Sequence, residues 1–150
     1  MRPVNKEFIE SVQEMRLLLE PAAVRNAAKR KADLTAAWNA LEEGREAIRL
    51  KDRHRLNSAN RTFHREVYAQ CGNPLLVMSL DRLQDQVSLI SVASWTDWPG
   101  YDWADERKEH EMIARAVEAG EVTKAGALTR RHLKRLLAFG RSLPEEAGAS

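Results

Sequence analysis

Four histidines, His54, His64, His110 and His132, are the side chains of this 150-residue chain best suited to chemistry near neutral pH. If the surrounding segment is helical, Asn60, His64, Val67, Tyr68 and Cys71 fall on one stripe, with Asn60 one turn before His64. His110 shares its phase with Ile113, Ala114 and Val117, and His132 with Leu128 and Leu136. Three imidazoles therefore occupy apolar stripes of three different helices, whereas His54 sits in the polar stretch from Lys51 to Arg55. Each inward imidazole brings two ring nitrogens that need partners. Three separate hydrogen-bonded core histidines would meet that need. So would one divalent metal accepting three lone pairs at a common point, a kind of site that bundles build from facing helices. Spacing alone leaves both open.

Other chemistry finds little support. The His-Glu-x-x-His, Glu-x-x-His and Cys-x-x-Cys patterns are absent, as are a glycine-rich phosphate loop and a Gly-x-Ser-x-Gly elbow. Glu106 and Arg107 stand four and three residues before His110, but no carboxylate is expected on the inward stripes near the three histidines. A metal-dependent hydrolase or isomerase would thus lack a general base. The single cysteine, Cys71 beside Gly72, reads as packing and excludes an internal disulfide, so a reducing, cytoplasmic setting is expected. Charges nearly cancel, 24 Lys and Arg against 22 Asp and Glu, which gives the chain no overall pull towards nucleic acid. No apolar run reaches the roughly 20 residues of a membrane span.

The elements that must carry these residues are helices almost throughout. Phe8, Val12, Met15 and Leu19 predict the buried face of a helix over 5–19. Pro21 then predicts a kink or the start of a second helix over 22–31. Asp33 reads as the N-cap of a helix over 34–50, buried through Leu34, Ala37, Trp38, Leu41 and Ile48. Further helices are expected over 54–71, closed by Gly72-Asn73-Pro74, and over 75–94, 104–119 and 121–139. Strand-like alternation is absent. The expected fold is all-α, an antiparallel bundle of six to seven helices, forming one domain over 1–143 with a frayed tail at 144–150.

Several segments together resemble the FCD domain, the effector-sensing half of FadR-subfamily GntR transcriptional regulators. They are Met15-Arg16-Leu17-Leu18-Leu19-Glu20-Pro21, Phe63-His64 followed by Gly72-Asn73-Pro74-Leu75, Glu109-His110 followed by Ala119-Gly120-Glu121, and Arg130-Arg131-His132-Leu133. The resemblance implies a helical bundle holding zinc, nickel or manganese through one Asp and three His. The histidines map onto His64, His110 and His132, but the family's Asp is replaced by Asn60. An amide oxygen can coordinate yet brings no charge, so metal affinity should fall. The resemblance further implies a small carboxylate effector, such as a sugar acid, and a homodimer. DNA would be bound only through a winged-helix domain absent from this chain. Arg16 is a candidate effector anchor, a guanidinium fork matching a carboxylate, against the alternative of a surface ion pair with Glu20. Asn57, one turn before Asn60, is a second candidate. The alternatives to a sensor are the hydrolase or isomerase above and a metal-free interaction module.

Two remaining features look structural. Trp95, Trp98, Tyr101 and Trp103 are expected to pack a connection over the bundle end, with a lid over the effector site as the functional alternative. The run from Arg130 to Arg135 should be a solvated face, because its His132 and Leu133 point inward.

Overall fold

The computed structural model of the chain describes residues 6–94 and 102–142, the side chains of 87–94 excepted. Trp95, Trp98, Tyr101 and the expected tail at 144–150 lie outside the described residues. The elements are α1 (Lys6–Lys29), α2 (Thr35–Arg49), α3 (Arg53–Tyr68), a 3-10 turn (Ala69–Cys71), α4 (Pro74–Ser94), α5 (Trp103–Glu118) and α6 (Val122–Ser142). Among the described residues there is no strand, and the antiparallel bundle has six α-helices.

Helix α1 departs from the sequence reading in two ways. Pro21 lies inside one continuous helix and is itself buried. An interior proline costs about 3 kcal/mol, which the packing of this helix along α6 and against α3, α4 and α5 must outweigh. The buried face is also rotated from the expected one. Val12, Arg16, Glu20, Ala23, Val24 and Ala27 point inward, whereas Met15 is 44% exposed. The inward face carries an ion pair, so hydrophobicity alone misplaced it.

In α2, Leu34, Ala37 and Leu41 are buried as expected, but Ile48 is exposed. The helix starts at Thr35, with Leu34 in the cap position. Asp33 still serves the helix end one residue early, accepting from the Thr35 amide at 2.9 Å and from its hydroxyl. Phe63 and Val67 of α3, Ile113, Ala114 and Val117 of α5 and Ala125 of α6 meet Val24, Leu34 and Leu41 in the main core. A second cluster gathers Ala23, Tyr68, Cys71 and Leu80. Cys71 is buried there, as a packing cysteine should be.

Helix α5 ends at Gly120, φ 72°, whose amide bonds the Val117 carbonyl while that of Glu121 bonds Ala116. A Gly120→Ala variant should lose about 1 kcal/mol, since a Cβ is strained in this left-handed conformation. The expected fall in Tm is about 2–4 °C, readable by thermal denaturation; an unchanged Tm would contradict the assignment.

Candidate metal centre

Three helices deliver the three imidazoles. His64 (α3), His110 (α5) and His132 (α6) are 6%, 1% and 0% exposed. One ligating nitrogen from each lies within 4.8 Å of the others. The Nε2 atoms of His110 and His132 are 3.1 Å apart. The rings of His64 and His132 are nearly parallel, with centroids at 5.3 Å, and His110 stands edge-on to both. Phe63 stacks on His110 at 4.4 Å and closes one side. The three inward phases thus converge on one point, while His54 is exposed and apart.

The far sides of two rings are fixed by carboxylates. The Nδ1 of His64 bonds Glu20 of α1, and the Nδ1 of His132 bonds Glu109 of α5 at 2.6 Å. Each carboxylate selects the Nδ1–H tautomer, which leaves an Nε2 lone pair for the shared point. Glu20 is 2% exposed and ion-paired to Arg16 at 3.2 Å. Burial opposes its ionisation, but His64 and Arg16 prevail and hold its pKa at about 2. Glu109 also receives Arg135 Nε at 2.8 Å. Burial likewise opposes its charge, yet His132 and Arg135 lower its pKa. Burial drives the His132 pKa down to about 4 and that of His110 well below its usual value, aided by the neighbouring imidazoles. Both rings are therefore neutral at pH 7, the form that ligates metals.

Carboxylates therefore do share the inward faces, contrary to the sequence reading. Besides Glu20 and Glu109, Glu106 of α5 is 4% exposed, with Oε1 3.9 Å from His110 Nε2. The signal was present in the helical phase. Glu106 lies one turn before His110, and Glu20 one turn after Arg16 on the stripe of Val12, Ala23, Val24 and Ala27. Arg16 pairs with Glu20 as the structural alternative held, but the pair is buried rather than on the surface. Arg16 is thus beside the histidine cluster, through Glu20. Asn60 is half-buried and lines a cleft with Ala40, Leu41, Trp103, Glu106 and His110. The cleft's free space is ≈ 10 Å³, about one water. Asn57 is half-buried and is not among the residues lining it. Trp103, expected in the aromatic connection, instead opens α5 and forms one wall.

The donor set suits a divalent metal. Two nitrogens bound to one zinc at about 2.1 Å stand about 3.4 Å apart at a tetrahedral angle and about 3.0 Å apart at a right angle. The 3.1 Å between His110 and His132 falls in that range, and the 4.8 Å limit on the three atoms together is wider. Without metal, an Nε2–H of one ring can donate to the lone pair of the other.

The sequence pattern of the FCD domain matches residues 11–135. No curated protein sequence matches the chain. A solved structure described as "Metal-free FCD domain of TM0439 a putative transcriptional regulator" has the same fold, with a TM-score of 0.72 and 16% identity. The alignment covers 93% of this chain and 95% of that one.

Proposed function

Since the chain belongs to the FCD domain family, we propose that it is the sensing domain of a GntR-type regulator of the FadR subfamily. In this reading it binds a small organic acid beside a divalent metal held by His64, His110 and His132. The observation that carries the metal part is the convergence of three buried imidazoles, two of them held at Nδ1 by carboxylates, which leaves their Nε2 atoms to ligate. When bound, the metal would supply a Lewis-acidic anchor for a carboxylate. Asn60, which lines the cleft, would be a neutral polar contact, and Asn57 lies one turn before it on α3. Arg16 supplies positive charge from the α1 side, and an incoming carboxylate would compete with Glu20 for it.

The cleft has room for about one water, so an organic acid has to move the walls formed by α2, α3 and α5. That requirement couples occupancy to helix packing, which is what a sensor needs. In a homodimer joined to winged-helix domains, the same movement would alter DNA affinity, and DNA would alter effector affinity by an equal factor. Among the described residues no helix is long and apolar enough to cross a membrane.

The test has two arms. Elemental analysis of purified protein should find close to one zinc, nickel or manganese per chain, lost in His110→Ala. A thermal-shift screen of organic acids on metal-loaded protein should yield at least one that raises Tm by about 5–10 °C at a hundred times its Kd, the equivalent of about 2.7 kcal/mol. Protein without metal, or a screen without any stabilising acid, contradicts the corresponding half of the proposal. The hydrolase or isomerase reading gains from Glu106 the carboxylate it lacked. Turnover of an acid that binds, abolished in Glu106→Gln, would decide for it.

A further inference from the structure

We infer that Glu106 supplies the charged oxygen of this metal centre, taking from α5 the part that the neutral Asn60 on α3 does not fill. The inference rests on the metal reading above.

Three neutral imidazoles and an amide leave a divalent ion with its full charge in a buried site, which is costly without an anionic partner. Among the described residues, Glu20, Glu106 and Glu109 stand beside the cluster, and their placement separates them. Glu20 and Glu109 face the Nδ1 edges of their histidines, away from the shared point, and are engaged by Arg16 and Arg135. Glu106 is on the other side. Its Oε1 is 3.9 Å from His110 Nε2, the same atom that stands 3.1 Å from His132 Nε2. Two donors on one ion are separated by about 3.0–3.4 Å, so Glu106 Oε1 is within an ångström of sharing an ion with His110 Nε2. That oxygen stands outside the 4.8 Å cluster of the three imidazoles and would move inward to join it. Glu106 of α5 and Asn60 of α3 line the same cleft, together with His110. Helical phase explains how Glu106 comes to be there. One turn before His110 it falls on the stripe of Ile113, Ala114 and Val117, while the adjacent Asp105 is exposed. A carboxylate from α5 would tie the metal more tightly to that helix than to α3, leaving Asn60 free to contact the ligand.

The test is zinc affinity by chelator competition, together with the absorption spectrum of the cobalt(II)-loaded protein. Wild type, Glu106→Gln, Asn60→Asp and the double variant are compared, with metal-free Tm and circular dichroism as controls for folding. Glu106→Gln should bind zinc at least about tenfold more weakly. Its cobalt spectrum should differ from that of wild type. Adding Asn60→Asp to it should restore affinity to within about threefold of wild type, since the charge returns from α3. Affinity of Glu106→Gln within twofold of wild type, or an unchanged cobalt spectrum, overturns the inference and leaves the metal reading standing. Wild type that binds neither ion overturns the metal reading, and this inference with it. Should Glu106→Gln not fold, Glu106→Asp gives the comparison: a severalfold loss supports ligation, and unaltered affinity refutes it.

Discussion

A Glu20→Gln variant should lose about 3–5 kcal/mol of stability, the scale expected when one partner of a buried ion pair is removed. Glu20 is 2% exposed and holds two groups at once, the Arg16 guanidinium at 3.2 Å and the Nδ1 of His64. The amide keeps the shape of the carboxylate and one acceptor, but not its charge. Arg16, 3% exposed, then faces a neutral amide where a carboxylate stood, with the Gln13 amide oxygen at 3.2 Å as a second neutral acceptor. At 2–4 °C per kcal/mol, Tm should fall by about 10 °C. Metal affinity should fall about 10- to 100-fold, because the carboxylate fixes the orientation of the His64 ring. The double variant Arg16→Met/Glu20→Gln should recover part of the stability, since neither charge remains buried, without recovering metal affinity. Chemical denaturation of the metal-free proteins reads the first effect and chelator competition the second. A loss below about 1 kcal/mol in Glu20→Gln would mean that the pair is not buried in solution.

The contrast between what helical phase revealed and what it concealed follows from the same residues. His64, His110 and His132 were legible because each shares its helical stripe with apolar residues at steps of three and four (Val67 and Tyr68, Ile113 and Ala114, Leu128 and Leu136), and an imidazole there is already anomalous. Their convergence was not legible, because it depends on how α3, α5 and α6 lie in space. Arg16, Glu20 and Glu106 obey the same phase rule, yet a charged residue on a helix is ordinarily read as exposed. Glu20 is buried against a partner on another helix, His64 of α3, whereas Glu106 faces His110 one turn along its own helix, in the cleft that α2 and α3 also line. The continuity of α1 through Pro21 was hidden for a similar reason. Local propensity argues for a break, and contact with α3, α4, α5 and α6 overrides it. The departure of Asn60 from the family's Asp was visible in the sequence, but only the fold brings Glu106 to the same cleft.

Metal-free protein should be unusually sensitive to mild acid. Burial holds the His132 pKa at about 4 against an ordinary 6.5, and pushes His110 well down in the same direction. Between those values the unfolded chain takes up protons that the folded one refuses, so stability falls as pH falls. The contribution of each ring is fully present above pH 6.5 and is lost progressively towards the folded pKa. For His132 the difference amounts to about 3 kcal/mol by pH 4. Glu20 acts at lower pH: with its pKa at about 2 rather than 4.5, its share is present above pH 4.5 and is lost below it. The Tm of chelator-treated protein should therefore drop by about 10 °C or more between pH 7.5 and 4.5. Zinc-loaded protein should hold its Tm further into acid, because protons must displace the metal before they reach the nitrogens. The two curves should meet where the metal is released. A metal-free Tm that stays level from pH 7.5 to 4.5 would show that the imidazoles titrate normally in the folded state, and that the three rings are not packed away from water together.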